Sequence, residues 1–433
     1  MTRLDRRTVL AAVGTGVATS LAGCSHITGD DRTELETDGI ESALAGSPPD
    51  YARPAPVRPS QSAIQAGLGR TDELLAAVPA DLSAEDVPNG AIRSRIADMR
   101  DDAVGQREHA EGADSPYRKL QETRHARRDA AEPAVAYRAV QGEVTLDGLR
   151  ATRDVLAEKV AADLDAIEYV GSDPDRTLYL AAIRESDLLA AGRWLDHHVR
   201  AVDPSVLDIG EVGSWVEYAR ATRSVVDHLG ARHRDQVTDE RSFAEDFEQA
   251  LDRTVQTIAD RQVPERGDQP ADLVESDVAG TATERVLDIC IRQLIDTEAE
   301  LRHDRSAGHL GVGLRGAYAA ERDRRAYETV RERIADGDFR SLDSTTAIRD
   351  ARERAIRLAT DASIDPGEPS IPAEMLAGRV EQIRDTDRWI RRELETRDTV
   401  YAETFESEFA RYVWVAEQIA ALPDAADAMA ARL

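Results

Sequence analysis

The sequence predicts an all-α protein, built of long antiparallel helices in bundles or stacked hairpins, with no sheet. Three observations carry this expectation. Apolar residues recur at helical spacing over nearly the whole chain after residue 60. Helix-start signatures sit where those stripes begin. Alternating β-branched runs between turn residues, which a sheet needs, are missing.

The stripes can be read in order. In residues 145–170 Leu146, Leu149, Leu156, Val160, Leu164 and Ile167 are separated by three, four or seven positions, so they share one helical face. Ile209, Val212, Val216, Ala219, Val226 and Leu229 form a second such face. Phe243, Phe247, Leu251 and Ile258 form a third. Asp173-Pro174 fits a cap followed by proline in the first turn. Ser242-x-x-Glu245 and Thr281-x-x-Glu284 fit capping boxes, in which two side chains satisfy each other's free backbone N–H. Some nine or ten helices of roughly 20–30 residues are expected, burying their stripes against one another. Their polar faces carry many arginine–carboxylate pairs at helical spacing.

The chain has 433 residues, of which 41% are hydrophobic and only 4% aromatic. A sizeable core is available, and it must be mostly Ala, Val, Leu and Ile. The largest break, residues 263–280, gathers Pro, Gly and Asp and divides the chain into helical halves at 61–262 and 281–433. A second loop at 361–372 precedes the C-terminal helices, where Trp389, Phe405, Phe409, Tyr412 and Trp414 supply most of the aromatic bulk of that half.

Charge limits the partners. There are 83 acidic against 55 basic residues, a net charge of −28. Lys119 and Lys159 are the only lysines; the other basic residues are arginine. Such a chain has no general basic field for nucleic acid and no long basic stripe, so nucleic acid is not an expected partner. Acid excess with lysine depletion is similar to proteins of salt-loving archaea, and the acidity therefore reads as adaptation to solvent.

The N-terminus reads as an address. Arg6-Arg7 precede a weakly apolar run from Val9 to Ala22, too short to span a bilayer, which takes about 20 residues. This stretch resembles a twin-arginine export signal, and Leu21-Ala22-Gly23-Cys24 resembles a lipobox, as in haloarchaeal exported lipoproteins. The resemblance implies removal of residues 1–23 and a lipid on Cys24. That lipid would hold the protein on the outer face of the cytoplasmic membrane. Residues 24–60, with Pro48, Pro49, Pro54, Pro56 and Pro59, read as a polar, semi-rigid stalk.

Few motifs carry chemistry. Gly311-Val-Gly-Leu-Arg-Gly316 fits GxGxxG but follows a helix, whereas the dinucleotide fingerprint follows a strand. The glycines read instead as a loop into a helix start, with Gly313, Gly316 and Ala317 permitting close packing. Glu-x-x-His occurs at Glu122/His125 and Glu300/His303. Two such pairs in a four-helix bundle resemble ferritin-like di-iron sites, which gives an alternative reading as a metal-handling protein with these four ligands. His125, however, lies among Arg124, Arg127 and Arg128. Exported imelysin-like lipoproteins are similar in architecture, but their GxHxxE motif would begin at Gly308-His309 and meets Val312 where the acid belongs. His198 and His233 fall in line with apolar stripes, the usual place of a hydrogen-bonded core histidine, and Trp194 and Trp215 are explained by packing. Cys290, in an apolar run, reads as a buried thiol, and Asn89 is followed by Gly-Ala, so no glycosylation sequon exists. No Ser-His-Asp order, zinc spacing or P-loop is visible, and no cofactor is called for.

The sequence is thus read as a lipid-anchored, extracytoplasmic helical protein that binds a partner or ligand at the cell surface and is not an enzyme. A solute-binding transporter component is a further alternative. The charge makes a first prediction. Self-repulsion at −28 destabilises a compact state, and molar salt shortens the screening length to about 3 Å. The melting temperature should fall on transfer from molar to dilute KCl; an unchanged melt and circular dichroism spectrum would refute the halophilic reading.

Overall fold

The structure, a computed structural model, describes residues 33–197, 204–259, 264–265, 267–337, 342–397 and 399–433. The export-signal residues Arg6, Arg7, Leu21, Ala22 and Gly23, the lipidation candidate Cys24, and His198 lie outside the described residues.

The architecture is all-α. In chain order the helices are α1 (Thr37–Ala43), α2 (Gln61–Ala76), α3 (Gly90–Gly112), α4 (Pro116–Val140), α5 (Leu146–Asp165), α6 (Pro174–Leu195), α7 (Val206–Arg234), α8 (Ala244–Ala259), α9 (Ala282–Ala307), α10 (Leu310–Ala335), α11 (Thr345–Thr360), α12 (Ile371–Thr396) and α13 (Glu406–Ala430). The only extended pairing among the described residues is two short antiparallel ladders. β1 (Glu34–Leu35) pairs with β4 (Val400–Tyr401), and β2 (Val170–Gly171) pairs with β3 (Arg241–Ser242). No described helix is long and apolar enough to cross a membrane.

Local chemistry sets the helix starts. Asp173 accepts from the Arg176 N–H with Pro174 in the first turn, and Ser115, Thr145 and Ser370 cap α4, α5 and α12 in the same way. Ser205 and Asp208 make a full capping box on α7. Thr281 does cap α9, but the Glu284 carboxylate accepts from Gly280 N–H at 2.7 Å rather than from the cap residue itself. Ser242 belongs to the β2–β3 ladder. Asn89 caps α3.

The expected stripes are buried. Leu146, Leu156, Val160 and Ile167, then Val212, Val216, Ala219, Val226 and Leu229, all face inward. Helix α13 is the axis of the second half: it packs against α9, α10, α11 and α12, with Phe409, Tyr412 and Trp414 buried. Helix α4 plays the same part in the first half, against α2, α3 and α7. Helix α6 reaches from α5 and α7 to α10 and so joins the two.

Three expectations are corrected. First, the division at 263–280 is misplaced. Helix α8 packs on α9 and α10, and a Cβ on Gly313 would come within 2.9 Å of Leu251 on α8; α8 therefore belongs with the second half. Residues 270–273 form a 3-10 turn resting on α9, with Val278 buried. Second, the helices number thirteen among the described residues, because short helices such as α1 carry too few turns to leave a periodic stripe. Third, the described part of the predicted stalk, residues 33–60, is a strap bound to the body. Leu35, Ile40, Leu44 and Val57 are buried in the main core, and Tyr179 donates to the Pro54 carbonyl at 2.8 Å. Proline does keep this stretch extended, but an extended chain with apolar side chains can lie along a helical surface.

Arg352 holds the strap. Its side chain is 1% exposed. It donates to both carboxylate oxygens of Asp387, at 2.9 and 2.7 Å, and to the carbonyls of Ala45 and Gly46 at 2.9 and 2.7 Å. Asp387 also accepts from the Tyr412 hydroxyl at 2.6 Å. Removing one partner of a buried pair leaves an uncompensated charge, a loss of about 3–5 kcal/mol. Arg352→Met should lower stability to urea in molar KCl by roughly that amount and open residues 33–60 to protease. A strap still resistant to protease in this variant would show that Arg352 is not its tether.

Candidate ligand-binding site

Two adjoining cavities of about 500 and 440 Å³ lie where α4, α6, α9, α10 and α12 meet beneath the strap. Arg53, Ser186, Arg315 and Glu374 line both. Arg315 donates to Glu374 Oε1 at 3.0 Å, so this ion pair stands on the shared wall.

The placement of α10 against α6 shapes both chambers. His309, the residue before α10, provides no side-chain cap. Glu185 of α6 provides it instead, accepting from Gly311 N–H at 3.0 Å and Val312 N–H at 2.8 Å. The Tyr169 hydroxyl donates to the same carboxylate at 2.6 Å. Burial pushes the Glu185 carboxyl up, and these three donors pull it back toward the charged form. The glycines of GxGxxG follow from this contact. A Cβ on Gly311 would lie 2.6 Å from the Ala182 backbone nitrogen, so only glycine lets the two helices meet. Gly316 is different, for a Cβ there would find ordinary contact with Leu301. The motif is thus a packing device whose helix N-terminus is already occupied by a carboxylate.

The larger chamber is lined by five arginines, Arg53, Arg193, Arg315, Arg322 and Arg379, against three acids, Glu300, Asp304 and Glu374. Two of the arginines are neutralised. Arg315 has Glu374, and Arg322 donates to Asp323 at 2.7 Å. The other three have no carboxylate within ion-pair distance among the described residues. Arg379 is half-buried and donates to Gln418 Oε1 at 2.8 Å, while Gln418 in turn donates to Asp323 at 2.7 Å. A neutral amide therefore holds the guanidinium in place without cancelling its charge. The Arg379 Nε is buried and has no hydrogen-bond partner among the described residues. Burial, with repulsion from Arg322 and Arg53, pushes Arg379 down to about 10, so it is still protonated at neutral pH.

The smaller chamber differs. Acids outnumber arginines six to five along its lining, and Tyr117 and Tyr179 contribute aromatic surface. Burial, with Arg124 and Arg128 nearby, pushes His125 down. Arg124 lies 2.7 Å from Asp187 Oδ1. Buried oxygens of Gln121, Asp187 and Glu374 have no hydrogen-bond partner among the described residues.

The four residues of the metal reading are not brought into one site. Glu122 and His125 of α4 line the smaller chamber, and Glu300 of α9 lines the larger. His303 lines neither. Glu122 is engaged with Gln106 Nε2 at 3.4 Å, and no group of three or more His, Cys, Asp or Glu among the described residues is placed to hold a metal ion. The helices carrying the pairs do not face each other across a bundle core, which spacing alone could not reveal. His233 is a core histidine, its Nε2 2.9 Å from the Val170 carbonyl oxygen. Trp194 and Trp215 both contact the His197 ring, and neither lines a chamber. Cys290 is buried, and burial raises its thiol well above the usual range.

Residues 62–240 match the family model described as Domain of unknown function (DUF8262), and residues 244–431 match that described as Domain of unknown function (DUF8264). The boundary between the two matches precedes α8, in keeping with the packing of that helix on the second half. No curated protein and no solved structure matches the chain.

Proposed function

We propose that this is a lipid-anchored, extracytoplasmic binding protein that takes up a small anionic ligand, a carboxylate or phosphate, in the arginine-lined chamber. The observation that supports this reading is Arg379, half-buried and held by an amide rather than a carboxylate with its Nε unpartnered, beside the exposed Arg193 and Arg53 on the same lining. Buried or crowded cations without counter-ions are costly, and an anionic ligand supplies the missing partner. Arginine suits this task because its planar fork binds carboxylate and phosphate through paired hydrogen bonds. A cavity of about 500 Å³ is of the size that encloses small molecules. It therefore favours a ligand over a protein partner as the occupant.

The anchor rests on Arg6, Arg7 and the run ending at Cys24. Cys24→Ser should move the protein from the membrane fraction to the soluble fraction in molar salt. Equal partitioning of the two forms would refute the anchor.

Binding is tested by thermal shift and calorimetry in molar KCl with acetate, succinate and inorganic phosphate. A ligand at 100 times its Kd adds about 2.7 kcal/mol of stability. At least one of these anions should raise the melting temperature, and Arg379→Gln should weaken that binding tenfold or more. Arg193→Gln, at an exposed residue with no ion pair among the described residues, should also weaken it while leaving the unliganded melt unchanged. No shift with any of the three anions would overturn the reading.

A further inference from the structure

The strap brings Arg53 to the larger chamber, and Arg53 ends the strap's least anchored stretch. Upstream, Arg352 holds the carbonyls of Ala45 and Gly46. Downstream, Tyr179 holds the Pro54 carbonyl, and Val57 is buried in the core. Residues 47–53 run between these two clamps without regular secondary structure, and of the seven only Pro48 is buried. Side-chain bonds hold them. Arg384 of α12 donates to the Pro49 carbonyl at 2.6 Å and to Asp50 at 3.0 Å, and the Tyr51 hydroxyl donates to the Ala359 carbonyl at 3.2 Å. None of their own backbone N–H groups donates to another backbone group among the described residues. Gly46 has φ +76° and open space where a Cβ would stand, so the chain can turn at the upstream clamp without meeting the body. A segment with few buried contacts and few backbone bonds moves at lower cost than the helices beneath it.

Arg53 is exposed and lines both chambers. It shares the larger one with Arg315, Arg322 and Arg379, and its repulsion is among the causes that push Arg379 down. Like charges on two elements repel, and the less anchored element yields. An anion between them reverses the sign of the interaction, because each guanidinium can donate to its oxygens. In molar salt the screening length is about 3 Å, so Arg53 gains this attraction only by touching the ligand. We propose that residues 47–53 are a flap: an anion held at Arg379 draws Arg53 onto itself, and the segment closes over the larger chamber between the clamps at Gly46 and Pro54. This inference rests on the anion reading above and adds the regulation of that site.

The test combines calorimetry with electron paramagnetic resonance on the full chain in molar KCl. The probe is whichever of acetate, succinate and inorganic phosphate gives the largest thermal shift. In a Cys24→Ser background the remaining thiol, Cys290, is buried, so a nitroxide on Ala52→Cys, at an exposed residue, reports one position. Saturating anion should slow this label and broaden its spectrum. A label on Ser47→Cys, likewise exposed, should respond in the same way. A label on Val155→Cys, on α5 and outside both chamber linings, should not change. Arg53→Gln should weaken the anion threefold or more, and at saturation the Ala52 label should stay as mobile as without anion. Arg53→Lys should restore part of the broadening. An anion that binds by calorimetry but leaves both flap labels unmoved would overturn the flap and leave the anion site standing. Broadening that survives in Arg53→Gln would overturn it too. Absence of binding by all three anions would overturn both readings.

Discussion

The Glu185 carboxylate at the start of α10 is the contact on which the rest of the arrangement depends. It satisfies N–H groups that the helix itself leaves open, at the positive end of the helix dipole, where a carboxylate is favoured. It also sets distance. With the carboxylate in place, α6 and α10 touch backbone to backbone at Gly311, and no side chain can separate them. The residues next to Glu185 on α6, Ser186 and Asp187, are thereby fixed at the chambers, opposite Arg315 of α10. One carboxyl group thus decides where two helices meet and which side chains face each other. Because it fills the helix N-terminus, the anion reading depends on arginine side chains and not on a backbone cradle.

Arginine is used in two ways in this chain. Several arginines of the interior are matched to acid. Arg352 meets Asp387, Arg127 meets Glu217 at 2.6 Å, and Arg333 and Arg354 share Glu417. Each pair is a hydrogen-bonded contact that offsets the cost of taking charge out of water, and Arg352 and Arg354 reach both oxygens of their partners. In the larger chamber this rule is broken by Gln418, an amide at the place where a carboxylate would have completed a pair. A glutamine there keeps the geometry of a salt bridge and withholds the charge. The contrast between the two settings gives the chamber its meaning, since the surrounding molecule is overwhelmingly negative.

The fold was legible because periodicity and caps are local. The stripe from Leu146 to Ile167 and the Asp173-Pro174 cap needed no knowledge of distant residues. The strap was misread for the opposite reason: its prolines speak only of local stiffness, while its fate is decided by Arg352, some 300 positions later. Pro133 and Pro423 lie inside α4 and α13, where composition alone would end a helix. The chambers were the least legible part, because their lining is drawn from five helices and the strap. One signal was present. Arg379 sits among Met375, Leu376, Val380 and Ile383 and has no acid three or four positions away, unlike the many arginines paired within one helix turn. An arginine on an apolar stripe without a local partner is a better pointer to a site here than the Glu-x-x-His pairs, which frequent acids make common by chance.

The bound strap has a mechanical consequence for the proposed anchor. Between Cys24 and the first strand at Glu34 the chain has roughly ten residues, which reach at most about 35 Å when fully drawn out. Had residues 33–60 been free, the leash would have been several times longer. Because they are laid along the body, the proposed lipid would keep the folded protein close against the bilayer and confine it to a thin layer of solution. A molecule leaving the chambers would be released within a few nanometres of the membrane surface, where the effective concentration seen by any integral partner is high.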